Sequence, residues 1–252
     1  MVISVFAKSN DWQSNMDIKI EAGLFLPDLS GHISNSSSTT NFETDLDFDK
    51  SSASYFSLEA RLNYDYVPNF YISYYNMKDN SNATLPDTAI IAGENFISNI
   101  SNLIEYDSLS IVAYQDFLLK GKNLSILGNK FYPGDIEFDI GMNVKILNWQ
   151  YNIQDKTNLT RSSSWIRVTD FIPLPYFGFK YYRYNVMLHG DISALSFNKA
   201  KATSAQIALD YRIVSGVFIS LGYLYEKFDV VEDDDDVVFI TSGLKLSFKY
   251  KF

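Results

Sequence analysis

The closing stretch Val238-Phe-Ile-Thr-Ser-Gly-Leu-Lys-Leu-Ser-Phe-Lys-Tyr-Lys-Phe252 decides the reading of this chain. Val238, Ile240, Leu244, Leu246, Phe248, Tyr250 and Phe252 fall on one parity; Thr241, Gly243, Lys245, Ser247, Lys249 and Lys251 fall on the other. Side chains of a strand point alternately to opposite faces, so one face is apolar and the other polar. Only Ser242 and Phe239 break the alternation. Strands in soluble sheets usually run to about 5 to 6 residues, whereas a tilted strand crossing a bilayer needs about 9 to 11. The length of this one predicts a membrane-crossing β-barrel that ends on Phe252.

Composition agrees. The 252 residues hold 18 Tyr and 19 Phe against 3 Trp, and Tyr suits an interface where one end of the ring is wet. No apolar run approaches the roughly 18 residues of a spanning helix, so any crossing is made by strands. The chain has no cysteine, which excludes disulfides and thiolate metal sites. A net charge of −9 excludes a nucleic-acid partner, because phosphate binding needs clustered Lys and Arg. Nothing calls for a cofactor. Residues 1–16 read as the remnant of a signal peptide, with Val5 and Ala7 at the small-residue positions, or as a strand-like tail on the periplasmic side; residues 17–252 read as the barrel.

Period-two stretches recur from residue 17. Ile18, Ile20, Ala22, Leu24 and Leu26 alternate with Lys19 and Glu21; Phe56, Leu58, Ala60, Leu62 and Tyr64 with Glu59 and Arg61. Further strands are expected from Phe70 to Met77, from Leu103 to Phe117 with unclear parity, and through Ile136, Phe138, Ile140, Met142, Val144 and Ile146. After a segment that Pro173 and Pro175 should make bent or edge-like come Phe177 to Tyr181, then 185–197, 203–213, 217–229 and 237–252. The expected architecture is all-β: an antiparallel transmembrane β-barrel of about ten strands with both termini periplasmic. Loops are expected at 27–53, 79–102, 150–163, 198–202 and 230–236 on the outer side, with short turns at 66–69, 183–184 and 214–216 on the inner. The stretch 118–134 is too long for a tight turn and leaves room for an uncounted hairpin. Tyr64, Tyr66, Phe70, Phe177, Phe179, Tyr181, Tyr211, Tyr250 and Phe252 gather near the short turns as an aromatic girdle would.

From about residue 17 onward, the chain resembles uncharacterised outer-membrane β-barrel proteins of Gram-negative bacteria. The resemblance rests on the Pro68-Asn69 turn, Asp139-Ile140-Gly141, Ile172-Pro173-Leu174-Pro175 and the terminal Phe252. It implies residence in the bacterial outer membrane, contact with membrane lipid and lipopolysaccharide, and recognition of the last strand by the barrel-assembly machinery. It implies no activity.

Charge is expensive against hydrocarbon, so the polar parity should face the lumen. That parity carries Lys19, Glu21, Glu59, Arg61, Glu137, Asp139, Lys145, His189, Asp191, Asp210, Arg212, Glu226, Lys245 and Lys249. Both signs are mixed, which favours a plug of mutual ion pairs over a selective ion path. The expected role is structural or that of a narrow passive conduit for small solutes. Two alternatives remain. A lipid-modifying enzyme could use His189, Asp191 and Ser193, although residues two apart on a strand are separated by roughly 6.6 to 7 Å, too far for a triad within one strand. A secreted lipocalin-like barrel would need the apolar parity to point inward. His32 is expected to be solvated. Asp233, Asp234, Asp235 and Asp236, with Asp229 and Glu232 beside them, are a weak metal candidate, because four consecutive carboxylates lack the alternation and glycine of a calcium loop.

Overall fold

In the computed structural model the last strand finds its partner at the other end of the chain. β15 (Asp235–Lys251) runs antiparallel to β1 (Met16–Ser34), from Lys19 opposite Lys251 to Ser34 opposite Asp236. The structure describes residues 16–34, 39–48, 51–62, 64, 66–85, 89–91, 94–96, 99–119, 124–126, 129–131, 134–156, 164–197, 200–232 and 235–252. The other long strands are β3 (Ala53–Leu62), β4 (Asn69–Thr84), β7 (Asn99–Leu119), β10 (Asp135–Asp155), β11 (Ser164–Arg183), β12 (Val186–Phe197), β13 (Ala200–Val214) and β14 (Val217–Glu232). Short strands β2 (Thr39–Asn41), β5 (Ala89–Ile91), β6 (Glu94–Phe96), β8 (Leu124–Ile126) and β9 (Asn129–Phe131) belong to the loops. The ten long strands pair in chain order and close through β15 and β1. The chain is thus an all-β, antiparallel, ten-stranded barrel.

Paired residues can be followed once round the wall from Phe171 through Ile146, Leu109, Tyr74, Phe56, Ala22, Phe248, Ile219, Tyr211 and Val186. The path returns to β11 at Arg183, twelve residues along the strand. With strands about 4.8 Å apart and a rise of about 3.3 Å per residue, that stagger tilts them by about 40°. A barrel so tilted and so narrow must fill its interior with side chains.

The filling changes character along the axis, and β10 shows where. Its outward positions read Ile136, Phe138, Ile140, Met142, Val144 and Ile146, then Asn148, Gln150, Asn152 and Gln154; its inward ones read Glu137, Asp139, Gly141, Asn143 and Lys145, then Leu147, Trp149, Tyr151 and Ile153. The pattern does not lapse after Ile146 but inverts. β7 repeats the inversion: outward Asn99, Ser101, Glu105 and Asp107 give way to Leu109, Ile111, Ala113, Phe117 and Leu119, while inward Ile100, Ile104 and Tyr106 give way to Ser108 and Ser110. β4 does so between Tyr74 and Asn76 on its outer face. The half nearest the short turns therefore has an apolar exterior and a polar lumen. The half nearest the long loops has a polar exterior and an apolar interior, a cap. At the tilt given above, the apolar stretch Ile136–Ile146 stands about 25 Å tall, the height of the band that outer-membrane barrels present to lipid.

The loops differ from expectation for this reason. Strands continue through 27–34, 79–84, 99–102 and 150–155, which the loss of outward apolar residues made look like loop. The 118–134 stretch does hold a small hairpin, β8 with β9. Strand also replaces most of the 198–202 and 230–236 loops, and residues 1–15 lie outside the described ones. β3 begins only at Ala53, so it leaves a notch beside β1 and β4 through which the segment after β2 turns inward. Phe42, Leu46 and Phe48 are buried there, the Leu46 carbonyl accepts hydrogen bonds from Ser81 Oγ and Asn102 Nδ2, and the Phe42 ring meets Tyr151 and Phe239 edge-on. Phe239, the break in the terminal alternation, lies 4.7 Å from Tyr106 and 5.9 Å from Trp149 between ring centroids, as part of the cap.

Candidate functional site in the barrel lumen

The polar parity of the apolar-belted half converges on the axis, where desolvated charges require partners. One group forms around β3. Lys19 Nζ donates to Glu59 Oε2 at 2.6 Å, and Lys180 Nζ lies 3.1 Å from Glu59, 3.0 Å from Glu137 and 2.9 Å from Asp139. Arg61 pairs with Glu137 and approaches Asp116 at 3.6 Å, while Tyr114 OH donates to Glu59 at 2.5 Å. A second group forms where the barrel closes. Lys245 and Lys249 lie 3.2 and 3.9 Å from Glu21, which also accepts from Ser57 and Ser247, and Lys249 holds both oxygens of Asp210 at 2.8 Å.

Deepest, beneath the cap, sits the pair Lys145 and Glu226, with side chains 3 % and 1 % exposed. Tyr75, Tyr106, Ser108 and Ser204 donate to the same carboxylate at 2.7 to 3.3 Å, and Lys145 reaches Ser110 at 2.9 Å. A buried ion pair is sustained only when its polar atoms find further partners, and here both Glu226 oxygens accept from hydroxyls. Tyr75 and Tyr106 close the layer: their hydroxyls belong to the charge network and their rings to the cap.

Of the fourteen lumen residues expected from sequence, thirteen join these networks or their immediate lining, and Arg212 lines the lumen's mouth at the turn end. Its guanidinium donates to the Asn185 side chain at 2.7 Å, at the rim by the turn that carries Tyr184, two residues beyond Asp210 on β13. Sequence reading missed Lys180, the cation that joins three carboxylates. Its signal was present: it alternates with Phe177, Phe179 and Tyr181 along β11. Tyr114, Asp116, Tyr75, Tyr106 and Gln206 were missed as well.

His189 Nε2 stands 3.3 Å from Asp210 Oδ1 and 2.9 Å from Lys249 Nζ. Asp191 accepts from Gln206 at 2.5 Å, and Ser193 Oγ accepts from Asn143 at 3.3 Å. The three residues thus share a face but engage separate partners, and no nucleophile–base–orienter chain joins them. His32 lies in β1 opposite Val238 and Asn41, half-buried rather than in a solvated loop. In the acidic stretch, Asp233 and Asp234 lie outside the described residues; Asp235 and Asp236 continue β15 opposite Glu232 and Val231. Among the described residues no group of three His, Cys, Asp or Glu could hold a metal ion.

Space in the lumen is distributed unevenly. A vestibule of about 330 Å³ opens at the turn end between Lys19, Arg61, Tyr182, Arg212 and Lys251. Beyond it the space shrinks to about 60 Å³ beside Glu59, His189, Asp191 and Lys249, then to about 20 Å³ beside Lys145 and Glu226. These hold a few water molecules at most. The cap core follows.

Aromatics near the turn end sit on the outside. Tyr64, Tyr66, Phe70, Phe177, Tyr211, Tyr250 and Phe252 are exposed, and Phe179 and Tyr181 are half-buried. The Tyr250 and Phe252 rings meet edge-on at 4.7 Å.

No protein-family model matches the chain, and no curated protein matches it. Among solved structures it is similar to Neisserial surface protein A (14 % identity over 94 % of this chain and 97 % of that one, TM-score 0.35). It is also similar to Ail, the attachment invasion locus protein of Yersinia pestis (7 %, 94 % and 98 %, TM-score 0.37), and to the translocator domain of autotransporter NalP from Neisseria meningitidis (10 %, 93 % and 88 %, TM-score 0.36). The architecture itself rests on the strand pairing within the chain, which makes a closed, ten-stranded antiparallel β-barrel.

Proposed function

We propose that the protein resides in the bacterial outer membrane as a sealed barrel, with the short turns and both termini periplasmic and the cap standing outside the bilayer. Its role on this reading is structural or surface-presenting rather than that of a conduit. The observation that carries the proposal is the inversion along β10, β7 and β4. An apolar exterior of bilayer height surrounds a compensated charge network, and above it the polar exterior and apolar interior suit water. A conduit needs a hydrated path with one sign of charge at its constriction. What speaks for closure is the stack of the Lys145–Glu226 layer beneath an apolar core that includes the inserted Phe42, Leu46 and Phe48.

The test is single-channel recording of refolded protein in planar bilayers, where no conductance steps above the empty bilayer are expected. Regular steps would restore the conduit reading. The lipid-acting enzyme has less support, since His189 is committed to Asp210 and Lys249. His189→Ala is expected to leave lipid A and phospholipid profiles of the host membrane unchanged. The lipocalin-like alternative loses its premise, because Leu24, Leu244, Leu246 and Phe248 face outward.

A further inference from the structure

β11 is twenty residues long, but only its lower part has two neighbours. β10 follows it as far as Ile153 opposite Ser164, whereas its ladder with β12 ends at Tyr176 opposite Ser193. Residues 172–175 of β11 and 194–197 of β12 are all strand, yet they do not pair across the wall. The break lies within the apolar belt: Pro175 stands opposite Met142, Pro173 opposite Val144 and Phe171 opposite Ile146.

The two prolines explain it. Neither has an N–H, and proline is tolerated in a sheet where that missing donor faces no partner strand. The ladder with β10 runs unbroken past both, so the vacant side belongs to β12, which has nothing there to accept from. Side-chain exposure records the consequence. Leu195 shares the inward parity of His189, Asp191 and Ser193, yet it is 37 % exposed where Ser193 is 1 %. Phe171, on the outer lip, is 70 % exposed, whereas Leu174 at the floor is fully buried and Ile172 packs against the cap core.

We propose that this notch is a lateral seat for a hydrocarbon chain, an acyl tail of the surrounding lipid lying along Phe171, Pro173, Pro175 and Leu195. The proposal rests on the placement of the belt in a membrane. An acyl chain suits the seat because the notch is continuous with the lipid-facing surface and these four lining side chains are all apolar. Backbone left unpaired at this depth is costly in hydrocarbon. The prolines lower that cost by removing two donors from the β11 side of the notch.

The chain lacks cysteine, so single nitroxide labels can be placed without other changes. Leu195→Cys is compared in phosphatidylcholine vesicles with Ile207→Cys on the outer belt and Val112→Cys in the lumen, which are 49 % and 1 % exposed. The expected result is an oxygen collision rate at 195 equal to that at 207 and several-fold above that at 112, with a low rate for a water-soluble nickel chelate. An oxygen rate at 195 as low as at 112 overturns the seat, as does high accessibility to the nickel chelate. Spin–spin broadening at 195 would mean that a second copy's strand fills the notch, which also overturns it. If label 207 itself is reached by the chelate rather than by oxygen, the membrane placement fails first, and that failure is separately visible. In Pro173→Val/Pro175→Val the ladder should extend, and oxygen access at 195 should fall to the value at 112. An unchanged rate contradicts the role given to the prolines.

Discussion

Lys145 and Glu226 hold the narrowest level of the lumen, and their burial sets what mutation there should do. Lys145→Met leaves the Glu226 carboxylate with hydroxyl donors only, and removing one partner of a buried pair costs about 3–5 kcal/mol. The midpoint of urea unfolding in detergent micelles should fall accordingly. Adding Glu226→Gln to the same protein should recover most of the loss, because the stranded charge is then gone; no recovery would mean that Lys145 acts chiefly through its packing. Lys180 marks what the sequence concealed at this scale. Its phase against Phe177, Phe179 and Tyr181 was readable and that segment was counted as a strand, but its polar parity was not followed past the prolines, so its lumen-facing charge went unassigned. Arg212 lies on the inward parity expected of it, but its place near the end of β13 sets it at the lumen's mouth, where it donates to Asn185.

At the scale of the element, the period-two signal held wherever the exterior was apolar and failed where it inverted. β10 was legible from Ile136 to Ile146 because six apolar residues mark its outer face. From Leu147 the same periodicity continues with the faces exchanged, and a reader following the apolar side outward meets Asn148, Gln150 and Asn152 and reads a loop. β7 is the same strand read in reverse, which is why its parity looked unclear: no single face is apolar along its whole length. The inserted segment after β2 carries no periodicity, and its burial depends on β3 being short. That burial gives a prediction. Phe42→Ala removes a fully buried ring from the cap, and such truncations cost about 3–5 kcal/mol. Thermal or urea stability should drop by that order while single-channel recordings remain silent, since the Tyr75–Tyr106–Glu226 layer lies below the cap. Conductance appearing in Phe42→Ala would place the seal in the inserted segment alone.

For the molecule as a whole, closure was the most legible property and height the least. The length and alternation of Val238–Phe252 called for a barrel, and β1 closes it in continuous register from Lys19 to Ser34. The stagger of twelve residues round ten strands then fixes the tilt, and the tilt converts Ile136–Ile146 into a band of about bilayer height. What the local pattern could not show is that the barrel continues beyond that band as a cap with its own apolar core, because this follows from neighbouring strands such as β10, β7 and β4 inverting at one level rather than from any one of them. The inversion is the central claim, and a single-cysteine scan along the outer face of β10 tests it most directly. In protein refolded into lipid vesicles, cysteines at 136, 140, 142, 144 and 146 should resist a water-soluble maleimide, and those at 148, 150, 152 and 154 should react, with the change falling between 146 and 148. Uniform reaction along the whole face, or protection that continues past 148, would contradict the account.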